Sequence, residues 1–267
     1  MEDTYDIEYE KFKQDVKSIL GVDLNQYKPA QMKRRIRSFI SKYKCVTLAS
    51  FTELLKKNDE ALKVFKDYIT INVTEFFRNP EKFEELKTKV LPELIKNSRN
   101  QGRHTVRIWS AGCSTGAEAY TLAIIFEEHF QGVDYSVIGT DIDENIVRNA
   151  KAAEYKDIEI KNLNKYILDK YFDVQADKTK WKVKDKLKRN VKFLLGNLLG
   201  DTFPKGFDLI LCRNVVIYFT EEAKDILYKK FYDSLVDNGV LFIGGTESIL
   251  NAKQIGFKNS TNLFYYK

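Results

Sequence analysis

The residues best placed to do chemistry lie in residues 106–121, V-R-I-W-S-A-G-C-S-T-G-A-E-A-Y-T. The apolar positions Val106, Ile108 and Trp109 read as a buried parallel strand. Gly112 and Gly116 follow as a turn, and a helix begins at Ala117. A strand, a glycine turn and a helix in that order bring backbone N–H groups close to a ligand. A second apolar run over 135–139 ends in Thr140-Asp141-Ile142-Asp143. An acid at the end of the second strand is where a nucleotide ribose is held. The chain between Gly116 and Asp141 is long enough for one helix and one strand, so the pattern points to a nucleotide-type cofactor site.

The glycine spacing narrows the ligand. A dinucleotide fold uses G-x-G-x-x-G, so that the backbone can approach a pyrophosphate. Here the spacing is Gly112-x-x-x-Gly116, with Glu118 two residues on. A carboxylate at that place repels a pyrophosphate. It suits a cationic ligand, such as S-adenosylmethionine with its amino and sulfonium groups.

The elements that must position these residues fall into two patterns. Up to about residue 75 the chain reads as helices only. Phe12, Val16, Ile19 and Leu20 share one face of the first helix, and Gly21 stops it. Pro29 opens a second helix with the core face Met32, Ile36, Phe39, Ile40 and Tyr43. Ser50 and Glu53 resemble a capping box for a third. Leu62, Phe65 and Ile69 mark a fourth, and Asn79-Pro80 reads as the cap and first turn of a helix reaching about Lys96. From about residue 105, strands near 106–110, 135–140, 191–195, 207–212 and 239–244 alternate with helices near 117–131, 144–152 and 221–236. That alternation predicts a mostly parallel Rossmann-like α/β sheet covered on both faces. Two short strand-like pieces near 253–267 end the chain. The expected division is a helical domain over 1–76, a connecting helix over 77–96 and a cofactor-binding domain over 97–267. Residues 154–190, rich in Tyr, Lys and Asp, read as an inserted helical or β-hairpin element at the mouth of the site.

Composition bounds the function. An apolar content of 43% is ordinary for a soluble globular chain. No apolar run approaches the roughly 20 residues of a membrane span, and the acidic start Met1-Glu2-Asp3 does not read as a signal peptide. The three cysteines, Cys45, Cys113 and Cys212, are few and far apart, which suits reduced thiols in a cytoplasm. With two histidines they suggest no metal site. The net charge of +6 favours acidic partners in a general way. One local feature is sharper. No acid occurs between Asp23 and Glu53, while Lys28, Lys33, Arg34, Arg35, Arg37, Lys42 and Lys44 all do. On the second helix Lys33, Arg37 and Lys44 fall within about 40° of one another, opposite the apolar face. Solvated faces usually mix signs, so a one-signed face suggests an acidic partner.

Three further segments carry a family resemblance. They are Asn72-Val73-Thr74-Glu75-Phe76-Phe77-Arg78, Gly196-Asn197-Leu198-Leu199, and the stretch over 207–219, F-D-L-I-L-C-R-N-V-V-I-Y-F. With W-S-A-G-C-S-T-G and G-T-D-I-D, in this order along nearly the whole chain, they resemble the CheR family of bacterial chemotaxis receptor methyltransferases. The resemblance implies S-adenosylmethionine as methyl donor and a glutamate of a methyl-accepting chemoreceptor's cytoplasmic domain as acceptor, giving a methyl ester. It implies that Asn72, Thr74 and Arg78 reach the cofactor from the junction between domains. Glu118 would hold the cofactor's amino group, with Gly112 in the turn beneath, and Asp141 the ribose hydroxyls. Ile142 would pack on the adenine, and Asn197 and Leu198 would flank it. Arg213 and Asn214 would line the pocket, and Tyr218 would lie near the transferred methyl. Lys33, Arg34 and Arg37 would meet the glutamate-rich receptor. A monomer is expected, acting in the cytoplasm. One departure stands out. The family commonly carries G-E-E-P-Y where this chain has Gly116-Ala117-Glu118-Ala119-Tyr120, so one acid and the proline are absent.

The residue types suit that chemistry, and plainer roles compete with it. A glutamate carboxylate is already ionised at neutral pH and needs no general base. Asn72 and Thr74 could instead end helices, Arg78 could form a surface ion pair, and Asp141 and Asp143 could both be helix caps. Asn197 could be a turn residue and Tyr218 a core residue, while Cys113 and Cys212 could simply pack. A nucleic-acid methyltransferase would use the basic helix as a backbone clamp. Against it, Cys212-Arg213-Asn214-Val215 lacks the proline-rich motif of base-amine methylation, and Leu211 stands where cytosine methylation needs a proline before its cysteine. The third reading is a catalytically silent S-adenosylmethionine-binding sensor.

Overall fold

Apolar side chains at helical spacing build the first part of the chain. The computed structural model describes residues 2–70, 74–175, 179–261 and 263–267. The chain divides into two compact units, Met1–Ile71 with Ile217–Asp225, and Asn72–Val216 with Ile226–Lys267. In the first, α1 (Glu2–Leu20) buries Tyr9, Phe12 and Val16 and stops at Gly21, whose φ is +69°. The helix α2 (Pro29–Lys42) carries Pro29 in its first turn and buries Met32, Ile36, Phe39 and Ile40. Then follow α3 (Leu48–Lys57) and α4 (Asp59–Thr70). Rings of Phe12, Phe39, Phe51 and Phe65 meet at the centre, Phe51 and Phe65 edge to face at 5.1 Å.

The cap of α3 sits three residues earlier than the sequence pattern suggests. Thr47 accepts from the Ser50 amide at 3.1 Å, and the Ser50 side chain returns the bond to the Thr47 backbone. This start brings Leu48 into the buried face with Phe51 and Leu55, while Glu53 pairs with Lys56 in solvent. A piece of chain from far along the sequence completes this unit. Phe219 bridges Tyr27 in antiparallel fashion, flanked by bonds from the Lys28 amide to the Tyr218 carbonyl and from the Thr220 amide to the Gln26 carbonyl, both 2.9 Å.

The second unit begins with a helix in three parts, α5 (Pro80–Glu85), a wider π-type turn over Leu86–Val90, and α6 (Leu91–Asn100). Pro92 explains the wide turn, since it lacks an N–H and its ring crowds the carbonyl one turn back. The strands β1 (Thr105–Ala111), β2 (Asp134–Asp141), β6 (Val191–Leu195), β7 (Phe207–Cys212) and β8 (Leu235–Ile243) form a parallel sheet. Two antiparallel strands, β9 (Lys258–Thr261) and β10 (Phe264–Tyr266), extend it in the order β6-β2-β1-β7-β8-β10-β9. The short α13 (Ala252–Ile255) occupies the start of the region expected as strand. Every residue of β7 is buried, as a central parallel strand requires. The helix α7 (Ala117–His129) is apolar nearly all round and buried accordingly. The remaining long helices are α8 (Glu144–Ala152) and α12 (Glu221–Ser234).

The insertion combines both expected forms. Its strands β3 (Glu154–Tyr155), β4 (Phe172–Val174) and β5 (Trp181–Val183) make an antiparallel sheet in the order β3-β5-β4. Short helices α9 (Asp157–Ile160), α10 (Lys165–Tyr171) and α11 (Asp185–Lys188) surround it. Buried Tyr155 fastens it to the glycine turn after β1, its hydroxyl donating to the Thr115 carbonyl at 2.7 Å. No helix among the described residues is long and apolar enough to cross a membrane.

Ile36 is fully buried on the inner face of α2. Ile36→Ala should therefore destabilise the protein by about 2–5 kcal/mol, read as a lower midpoint in denaturant.

Candidate functional site

The candidates Gly112, Asp141, Asn197, Arg213 and Asn214 lie at or just past the carboxyl ends of the parallel strands. Strand order reverses between β1 and β7, and a crevice at such a switch point is where open α/β sheets bind ligands. At the end of β1 the chain turns through Gly112 (φ +75°), and the amides of Gly112 and Cys113 both donate to the Thr140 carbonyl, at 2.8 and 2.9 Å. A Cβ on Gly112 would lie 2.6 Å from Val215, so only glycine fits. Gly116 (φ +83°) opens α7 with its α-carbon against the Phe193 ring. Between them Ser114 takes a left-handed conformation and donates its amide to Asp141 Oδ2 at 2.9 Å.

The acids at the end of β2 and just past it have separate duties. Asp141 is 8% exposed and accepts from the amides of Ser114 and Asp143. Burial pushes its pKa up, and those amides pull against the rise. Asp143 caps α8, accepting from the amides of Asn145 and Ile146. Ile142 is half-buried between them. Across the sheet, Asn197 uses its side-chain carbonyl to accept from the amides of Leu199 and Gly200, which is turn chemistry. Leu198 beside it is buried. Leu195 stands opposite Asp141 in register with 60% of its surface exposed, an apolar group that the motifs do not single out.

Arg213 has several partners within the protein. Its side chain is 2% exposed and forms an ion pair with Glu118 at 3.1 Å. It also donates to the Arg78 carbonyl at 3.0 Å and to Asn79 Oδ1 at 2.9 Å, and lies over the rings of Phe242 and Phe83. Asn79 precedes Pro80 as the cap pattern requires, but it makes no side-chain cap bond. It sits at φ +62°, and its carbonyl is taken by the guanidinium. A charged donor makes the stronger bond. The other oxygen of Glu118 accepts from Ser110 Oγ at 3.1 Å.

Thr74 and Arg78 are half-buried on the segment leading into α5. Phe76 anchors this segment between the rings of Tyr155 and Phe172, and the Phe77 amide donates to Thr121 Oγ1. Asn72 lies outside the described residues. Tyr218 belongs to the first unit, in a short helical turn over Val216–Tyr218. On α2, Lys33 pairs with Asp6 at 2.7 Å, so its charge is already met by α1. Arg37 lies over the Tyr5 ring yet remains exposed, as does Arg34. Cys113 and Cys212 are buried, and burial raises both thiols well above their ordinary range, so they pack.

Three unpartnered polar atoms within the motifs suit a polar ligand. Ser114 Oγ, Arg213 Nε and Asn214 Oδ1 are buried and have no hydrogen-bond partner among the described residues. An unmet buried polar atom costs about 1–3 kcal/mol, and three of them at the ends of β1 and β7 suit a ligand rich in polar groups. The carboxylates of Glu118 and Asp141 suit its amino and hydroxyl groups. A second buried acid, Glu247, accepts from the amides of Val215 and Gly244. Its only signal in the sequence is an acid a few residues past the apolar strand β8.

Comparison with known proteins bears on the family of the chain. Residues 7–70 match the model of the CheR methyltransferase all-alpha domain, and residues 72–264 that of the CheR methyltransferase SAM-binding domain. A chemotaxis protein methyltransferase of Listeria innocua is 42% identical over 260 residues, 97% of each chain. One of Borreliella burgdorferi is 34% identical, covering 89% of this chain and 86% of that protein. Chemotaxis protein methyltransferase 1 of Pseudomonas aeruginosa is 31% identical, covering 91% of each. The chain belongs to the CheR family of S-adenosylmethionine-dependent methyltransferases.

Proposed function

We propose that the protein methylates glutamate side chains in the cytoplasmic part of a methyl-accepting chemoreceptor, leaving glutamyl methyl esters. The observation that carries this reading is the likeness, over 97% of the chain, to proteins named chemotaxis protein methyltransferase. S-adenosylmethionine supplies an electrophilic methyl group when bound. Asp141 accepts the ribose hydroxyls, and Glu118, steadied by Arg213, receives the amino group. Ile142 and Leu198 pack against the adenine, with Asn197 holding the turn beside it. Gly112 lets the backbone approach, Asn72, Thr74 and Arg78 close the site from the segment before α5, and Asn214 offers its amide. Tyr218 lies by the transferred methyl. The acceptor carboxylate arrives ionised, so no residue has to take a proton from it. Positioning is then the main source of rate.

The acceptor docks through α2. Lys33 is occupied by Asp6, so Arg34, Arg37 and Lys42 present the exposed charge. Such charges act on association and orientation.

Four outcomes test this function. Labelled methyl groups transferred to receptor cytoplasmic domains should leave as methanol in mild base. Base-stable label would mean N-methylation and overturn the ester. Asp141→Ala should weaken S-adenosylhomocysteine at least about tenfold by calorimetry, the worth of one charge-assisted hydrogen bond. The carboxylate must be ionised to accept both hydroxyls, and burial raises its pKa. Wild-type affinity should therefore fall on acidification from a higher pH than an ordinary aspartate dictates, and Asp141→Asn should remove that part of the dependence. Finally, reversing Arg34 and Arg37 to Glu should raise KM for receptor and remove the salt sensitivity of the rate. Stability and S-adenosylhomocysteine affinity should remain unchanged.

A further inference from the structure

Glu247 is a buried acid to which none of the preceding chemistry gives a task. It lies four residues past β8 and is 7% exposed. Among the described residues no lysine or arginine pairs with it. Its partners are main-chain amides. Oε1 accepts from Val215 at 3.0 Å and Oε2 from Gly244 at 2.6 Å. Burial raises its pKa, and the amides of Gly244, Asn214, Val215 and Val216 all pull it back down. A carboxylate held by successive amides is an anion nest turned inward, with the protein's own side chain as the anion.

The amides it collects belong to the loop that leaves β7. Cys212 and Ile243 are the last paired positions of β7 and β8. Beyond them the strands part, and amides that the ladder would have satisfied need another acceptor. Asn214, the first residue past Arg213, takes a left-handed conformation with φ +60°. Gly244 makes room for the arrangement. A Cβ there would lie 2.7 Å from Glu247 Oε2 and 2.8 Å from the Asn214 amide. The same loop reaches the glycine turn, because the Val215 side chain sits where a Cβ on Gly112 would be. One carboxylate thus ties together the ends of β7 and β8 and the residue packed under the turn after β1.

We infer that Glu247 is a positioning residue for the cofactor site, clamping residues 214–216 so that Asn214 is held in its left-handed turn and Val215 is seated under Gly112. This inference rests on the reading that Asn214 and the Gly112 turn face S-adenosylmethionine. Desolvating a carboxylate is costly, and a purely apolar plug would fill the space more cheaply. What an apolar residue could not do is accept hydrogen bonds from the loop. Glutamine could fill the same volume, but its amide nitrogen would point a donor at a donor.

The test is Glu247→Gln, studied as the full chain without cofactor and then with S-adenosylhomocysteine. Amide hydrogen exchange at residues 214–216 should accelerate at least about tenfold, and the affinity for S-adenosylhomocysteine by calorimetry should fall by a similar factor. The melting temperature should change little, because removing a buried charge offsets the lost bonds. Unchanged exchange at 214–216 overturns the clamp. Faster exchange with unchanged affinity overturns the positioning role, and Asn214→Ala then shows where the fault lies. If Asn214→Ala weakens S-adenosylhomocysteine, the site is right and the clamp does not serve it. If it does not, the assignment of Asn214 to the cofactor has failed. Should Glu247→Gln fail to fold, Gly244→Ala disturbs the same carboxylate from the other side. Normal exchange and affinity in that variant would equally overturn the inference.

Discussion

The buried guanidinium of Arg213 joins more of the site than any other single group. It sits at the end of the central strand β7 and reaches Glu118 on α7, Asn79 and the Arg78 carbonyl before α5, and the faces of Phe83 and Phe242. Taking such a charge out of water costs several kcal/mol unless its donors are satisfied. Here the carboxylate balances the charge and two further acceptors meet one terminal nitrogen, while Nε keeps no partner among the described residues. Lysine could not replace it, since a point charge on a flexible stem lacks the rigid fork that meets these partners from two nitrogens. The ion pair also conditions Glu118. That acid keeps one oxygen on Arg213 and the other on Ser110, so its position is set before any ligand arrives.

The parallel sheet was legible because central strands such as β7 are apolar on both faces and leave no competing period. The glycine turn was legible because Gly112 and Gly116 adopt conformations that side chains resist. Asp141 and Asp143 could not be told apart by spacing alone, since each stands just before a helix and each accepts backbone amides. Their different partners separate them: Asp143 serves α8, whereas Asp141 joins the turn after β1 to the end of β2. Local signals failed where a distant partner outbid a near one. Asn79 has the sequence of a helix cap, but Arg213 takes its carbonyl. Lys33 has the spacing of a free basic face, but Asp6 of the preceding helix takes its charge. The α3 cap moved for a related reason, because burial of Leu48 selected Thr47 over Ser50.

Glu247 and Ser114 escaped the sequence pattern for another reason. A lone acid or serine after a strand carries no periodicity, and its meaning lies in which amides surround it. Ser114 is left-handed, gives its amide to Asp141 and keeps a buried hydroxyl unpartnered among the described residues. Strain and an unmet polar atom at the same residue are costs that packing alone does not justify. Both become reasonable if a bound ligand meets the hydroxyl while the turn holds Asp141 in place.

The connectivity adds a constraint on how acceptor and donor are handled. The residues assigned to the cofactor that the structure describes, from Thr74 to Asn214, belong to the second unit. The basic helix α2 and Tyr218 belong to the first, and they are fastened to each other. The Lys28 amide, at the start of α2, donates to the Tyr218 carbonyl, and the adjoining Tyr27 and Phe219 rings meet edge to face at 5.2 Å. A backbone bond of this kind resists separation of its two strands, so a partner that takes hold of α2 also takes hold of the segment bearing Tyr218. Residues 214–216 lead directly into that segment, and their shape is set by Glu247 from the opposite side. The turn at Asn214 and Val215 is bonded at one end by the carboxylate after β8 and continues at the other into the segment bearing Tyr218.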